Sequence, residues 1–141
     1  MMATAYSEAV RERCRAPRRA GAWPDGDPAV ATGSAGSLDA GAWTRVQVRV
    51  DVHGRIEDTR FKVFGCSAAI ASASYVADAL VGATVDDARV LAPADVAAAL
   101  GLPEDKRAMA ALATDAARAA VAVWERQAGS GLRSPASGGS R

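Results

Sequence analysis

Among the side chains able to do chemistry, the thiol of Cys66 has the most telling surroundings. The run Phe61-Lys62-Val63-Phe64-Gly65-Cys66-Ser67-Ala68-Ala69-Ile70 reads as a strand, a glycine turn and the start of a helix. A thiol there faces the free N–H groups and the positive end of the helix dipole, both of which favour an anion. Cys66 is therefore expected to ionise more readily than an ordinary cysteine. A thiolate can ligate a metal, accept a sulfur atom or attack an electrophile.

Companions are few. Cys14 and His53 are the remaining thiol and the sole imidazole. Two cysteines and one histidine fall one ligand short of a structural zinc site, and no Cys-x-x-Cys spacing occurs. His53 falls on a turn, Cys14 on a helix, and nothing local brings either to Cys66. A Cys–His nucleophilic enzyme therefore ranks last among the readings. A cysteine pair does not make a secreted disulfide framework, so free thiols in a reducing cytoplasm are expected.

The elements that must position Cys66 follow from periodicity. Tyr6, Val10 and Cys14 share one face of a helix over residues 5–14, which Pro17 ends. Residues 21–41 are rich in Gly, Pro, Asp and Ser and read mostly as loop, with room for one short strand. Residues 43–52 alternate, with Val46, Val48, Val50 and Val52 on one side and Arg45, Gln47, Arg49 and Asp51 on the other. His53-Gly54 marks a turn, and residues 55–64 return as a strand anchored by Ile56, Phe61 and Val63.

Helical pattern then takes over. Residues 67–81 carry Ile70, Ala73, Ala77 and Val81 on one stripe, with Gly82 as the stop. Thr84-Val85-Asp86-Asp87 has the form of a capping box before a short helix. A second short helix over 95–100 closes at Gly101. Pro103, Glu104 and Asp105 suit the first turn of a long last helix, buried through Met109, Leu112, Ala116, Ala120 and Val123. Residues 1–127 are expected to form one domain and 128–141 a disordered Gly/Ser-rich tail. Strands first and helices afterwards give an α+β domain, a small antiparallel sheet with helices packed on one face.

Composition excludes several classes. Of 141 residues, 50% are apolar, enough for a real core. The 17 Lys and Arg against 16 Asp and Glu leave +1, which argues against nucleic-acid binding. No apolar run is long enough for a bilayer, and the N-terminus lacks a secretory pattern. The arginines at 11, 13, 15, 18 and 19 read as a solvated helix face, with a docking surface for an acidic partner as the alternative. Trp23, Trp43 and Trp124 fit either core or interface.

Many separated pieces resemble one family in order. They are Tyr6-Ser7-Glu8, Pro17-Arg18, Gly21, Thr32-Gly33, Gly36, Ile56-Glu57-Asp58, Phe61 to Cys66, Ala69-Ile70-Ala71-Ser72, Leu102-Pro103, Lys106 and Asp115-Ala116. From about residue 6 to 127 the chain resembles the U-type iron–sulfur cluster scaffolds, IscU and the N-terminal domain of NifU. The resemblance implies that fold, cytoplasmic work in cluster assembly, a transient iron–sulfur cluster as cargo, a cysteine desulfurase as partner, and a scaffold rather than an enzyme.

It also implies three cysteine ligands assisted by an aspartate and a histidine. The first cysteine and the aspartate fall at Ala40 and Ala42, and the histidine and third cysteine at Ala108 and Met109. Cys66 alone is kept, with Lys106 near the site. Asp39 could reach inward from its loop, whereas Met109 reads as core packing. A homodimer could pool two Cys66 thiols. The family's chaperone-recognition segment reads Leu102-Pro103-Glu104-Asp105-Lys106, and burying its two acids in an apolar groove is costly, which argues against a dedicated chaperone. Two functional readings follow: a scaffold-like protein taking persulfide sulfur on Cys66, or a ligand-deficient module that binds and regulates a desulfurase.

Overall fold

The computed structural model describes residues 6–24 and 26–130. Three strands form an antiparallel meander in the order β1 (Val30–Ser37), β2 (Ala42–Val50), β3 (Ile56–Phe64). Helix α1 (Glu8–Arg15) precedes the sheet; α2 (Ser67–Leu80), α3 (Val85–Arg89), α4 (Pro93–Leu100) and α5 (Arg107–Ser130) follow it. Helix α5 lies along β1 and β2, α2 lies along β3, and α1 packs on α2. This is the expected α+β architecture.

β1 is the largest departure from expectation. Residues 30–37 form a full strand, although their sequence Val-Ala-Thr-Gly-Ser-Ala-Gly-Ser carries almost no strand signal. The reason is the close approach of α5. A Cβ at Gly33 would lie 2.1 Å from the amide nitrogen of Ala120 and 2.5 Å from the carbonyl oxygen of Ala116. Small residues let the helix backbone settle directly on the strand, and that contact, not propensity, makes the strand.

Alternation along β2 holds for Val46, Val48 and Val50, all buried, but Val52 is 77% exposed. The Asp51 carboxylate accepts the amides of His53 and Arg55 and turns the chain before Val52 is reached. On β3, Arg49 faces Asp58 while Val50 faces Ile56, so Glu57 is an extra residue. That bulge lets Ile56 and Phe61, of opposite parity, both face the helices.

Helix α2 buries Ala68, Ala69, Ala71, Ser72, Ala73, Ser74, Val76, Ala77 and Leu80. Its two large stripe residues, Ile70 and Val81, are only half-buried. Squeezed between β3, α1 and α5, the helix presents small side chains almost all round. Helix α5 buries Ala110, Ala113, Ala116, Ala117, Ala120, Val121 and Trp124, whereas Met109, Leu112 and Val123 sit at the margin. Glu104–Lys106 form a 3-10 turn ahead of α5 rather than its first turn. The last helix runs to Ser130, three residues past the expected domain end at 127, so 128–130 are helical; the rest of the expected tail lies outside the described residues. The capping box at Thr84 and Asp87 and the left-handed Gly101 cap form as expected.

The arginine cluster is not merely solvated. Arg13 and Arg19 both bind Asp78 on α2, at 2.6 and 2.9 Å, and Arg19 also binds Asp58 on β3 at 2.5 Å. The segment around Arg19 pairs with the edge of β3, where Phe61 and Arg19 and then Gly21 and Phe61 exchange backbone hydrogen bonds. Trp124 is core, while Trp23 covers the face of the sheet opposite the helices, between the guanidinium groups of Arg49 and Arg60.

Candidate functional site

Cys66 caps the N-terminus of α2 with extended backbone (φ −79°, ψ 178°). Gly65 before it has φ +157°, and a side chain there would press on Ala69 at 3.0 Å and Ala42 at 3.5 Å. The glycine thus folds the end of β3 tightly against the start of β2 and aims Cys66 at the helix end.

The thiol is half-buried, and burial by itself pushes its pKa up. The amides of Ala69 and Ala68, the Lys106 ammonium and the Tyr6 hydroxyl outweigh that, and the net result is a thiol below its ordinary value. The two amides belong to the first turn of α2, where free N–H groups favour the thiolate over the thiol. Tyr6 is held above its ordinary pKa, by burial first and then by the negative charge of Cys66. It therefore stays protonated beside the thiolate, as a donor.

Sequence reasoning singled out Cys66 and Lys106, and the fold brings them together. It placed Tyr6 only on the buried stripe of α1. The missed signal is its distance from the helix itself: Tyr6 precedes the cap Ser7, so its side chain is not committed to the helix face. Ser7 in turn donates to the carbonyl of Leu100, which holds this N-terminal segment against the end of α4. Cys14 packs at the core margin, its thiol donating to the Ser67 carbonyl at 3.4 Å. His53 is exposed on its turn, away from the site.

Asp39 is exposed on the β1–β2 turn, and no interaction connects it to Cys66. Ala42 is buried beside Gly65, Ala40 and Ala108 are exposed, and Met109 packs at the core margin. Among the described residues, no three His, Cys, Asp or Glu side chains gather where they could share a metal ion. A two-iron cluster takes four ligands, and this chain's own side chains offer one thiolate at the place. The donor set therefore suits one sulfur atom better than a whole cluster.

The profile of the NifU-like N terminal domain matches residues 5–130. This chain belongs to that family. It is 39% identical over 121 residues to the iron-sulfur cluster assembly scaffold protein IscU of Escherichia coli, covering 86% of this chain and 94% of that one. It is also 39% identical over 120 residues to the iron-sulfur cluster assembly enzyme IscU of Drosophila melanogaster, covering 85% and 78%. In three dimensions the NifU-like N-terminal protein of Brucella abortus superposes with a TM-score of 0.66 at 21% identity, covering 86% of this chain and 94% of that one. No described helix of this NifU-like domain is long and apolar enough to cross a membrane.

Proposed function

We propose that this chain serves iron–sulfur cluster assembly as a scaffold-type protein whose working group is the Cys66 thiolate. In this reading Cys66 accepts sulfane sulfur from a cysteine desulfurase in the cytoplasm, and the chain acts as a carrier rather than an enzyme. The observation that carries it is the half-exposed thiol at the start of α2, lowered in pKa by two amides, Lys106 and Tyr6. Family membership and the kinship with proteins named as cluster scaffolds support the pathway.

The step balances without a further reactant. The Cys66 thiolate attacks the outer sulfur of the desulfurase persulfide. A new S–S bond forms, the old one breaks, and the desulfurase cysteine leaves as a thiolate while the terminal proton travels with the transferred sulfur. Lys106 stands where it offsets the charge on the acceptor, and Tyr6 donates toward it.

A second reading rests on Ala40, Ala42, Ala108 and Met109, the positions where the resemblance implies the other ligands. With these gone, the domain would bind a desulfurase and regulate it without carrying anything. The experiment is intact-mass spectrometry, native and denaturing, after anaerobic incubation with a cysteine desulfurase, cysteine and ferrous iron. One added sulfur, absent in Cys66→Ser and kept in Cys14→Ser, is the expected result. Bound iron and sulfide in the native spectrum would extend the role to holding a cluster. Stable complex formation with neither adduct would leave the regulatory reading.

A further inference from the structure

The side of the sheet turned away from the helices divides into two halves. In one half every cation is matched. Arg49 binds Asp27 at 2.7 Å, Arg60 binds Asp58 at 3.1 Å, and both guanidinium groups flank Trp23, whose backbone N–H donates to the buried Gln47 Oε1 and whose carbonyl accepts from Gln47 Nε2. In the other half the pattern fails. Arg45 on β2 lies directly opposite Lys62 on β3, and among the described residues neither has a carboxylate partner. Like charges facing each other across a ladder cost stability.

Beside them Trp43 faces Phe64, and Phe64 is 54% exposed. Arg45 leans over the Trp43 ring at 5.8 Å. The β1 residues that pair with Arg45 and Trp43 are Ser34 and Gly36, too small to shield them. Lys62 also borders a groove of about 340 Å³ lined by Pro17, Gly21, Phe61, Val63 and Ile70. Phe64 lies two residues before Cys66, and the groove that Lys62 borders reaches Ile70, one helical turn beyond it.

We propose that Trp43, Arg45, Lys62 and Phe64 form the docking strip for an acidic segment, carrying an apolar side chain, of the protein that delivers sulfur to Cys66. Two cations without a carboxylate partner among the described residues, beside a half-buried Trp43 and an exposed Phe64, fit a carboxylate-bearing chain with one apolar anchor. A second copy of this chain would set the four cations against one another. The strip's position brings a partner bound there within reach of the thiol. The inference rests on the sulfur-acceptor reading above and names the surface that reading requires.

The test uses the full chain and the cysteine desulfurase of the same organism. Lys62→Glu places an acid opposite Arg45, so thermal stability should hold or rise. Affinity for the desulfurase should nevertheless fall about tenfold, and further with Arg45→Glu, as expected for a close charge contact. Sulfur uptake on Cys66 from inorganic polysulfide should be unchanged, because the thiol is untouched. Unchanged desulfurase affinity in Lys62→Glu and in the double variant overturns the strip. So does a loss of self-association, or of binding to a duplex-DNA probe, with desulfurase affinity intact. Tight, Lys62-dependent desulfurase binding without sulfur on Cys66 upholds the strip and overturns the acceptor reading alone.

Discussion

Whether the Cys66 thiol reacts at neutral pH depends on a contest between burial, which disfavours the anion, and the dipoles and charges around it, which favour it. The second side wins through groups from three parts of the chain: the amides of Ala69 and Ala68, Lys106 and Tyr6. Lys106→Ala and Tyr6→Phe should each raise the pKa read from the pH profile of Cys66 alkylation, while Lys106→Arg should keep it low. Linkage sets the sign for stability. A folded pKa below the unfolded one, about 8.5 for a free thiol, means ionisation stabilises the fold. That contribution is complete above the unfolded pKa and is lost as pH falls through the lowered value. Cys66→Ser should remove this part of the pH dependence in denaturant titrations.

At the scale of elements, contacts between backbones decide more than side-chain pattern does. Gly33→Ala would drive a methyl into the α5 backbone at Ala116 and Ala120, where nothing flexible can yield. A loss of about 3 kcal/mol is expected in urea denaturation, the upper end for overpacking. Thr84→Ala removes half of the capping box on α3, where Thr84 accepts from the Asp87 amide and Asp87 from that of Thr84. It should cost about 1 kcal/mol by the same measurement. These two cases differ in legibility. The box is written in adjacent residues, while the fit of Gly33 under α5 joins positions far apart in the chain.

For the molecule as a whole, Asp78 ties the N-terminal arm to the body through Arg13 and Arg19. Burial raises its pKa, but the hydrogen bonds from the two arginines bring it below the usual carboxylate range. Its contribution is present above the unfolded carboxylate pKa, about 3.9, and fades as pH falls through the lowered folded value. Asp78→Asn should lower stability by about 2 kcal/mol at neutral pH, and by progressively less as acid protonates the wild type. The positions where the resemblance implies further ligands can also be tested at this scale. A variant combining Ala40→Cys, Ala42→Asp, Ala108→His and Met109→Cys should retain more iron and sulfide than wild type after anaerobic reconstitution, seen as visible absorbance. Equal retention would mean that those positions do not converge on Cys66.

The amino-acid sequence by itself determined the architecture of β2, β3 and α2–α5, the NifU-like kinship and the turn that carries Cys66. These are local matters of period, cap and residue type. Only the tertiary structure decided that residues 30–37 are a strand, that a bulge at Glu57 turns Ile56 inward, that Arg13 and Arg19 clamp rather than float, and that Tyr6 stands beside the thiol. Each of these depends on groups distant in the chain meeting at van der Waals or ion-pair distance. No periodicity records such a meeting, because its free energy belongs to the pair and not to either segment.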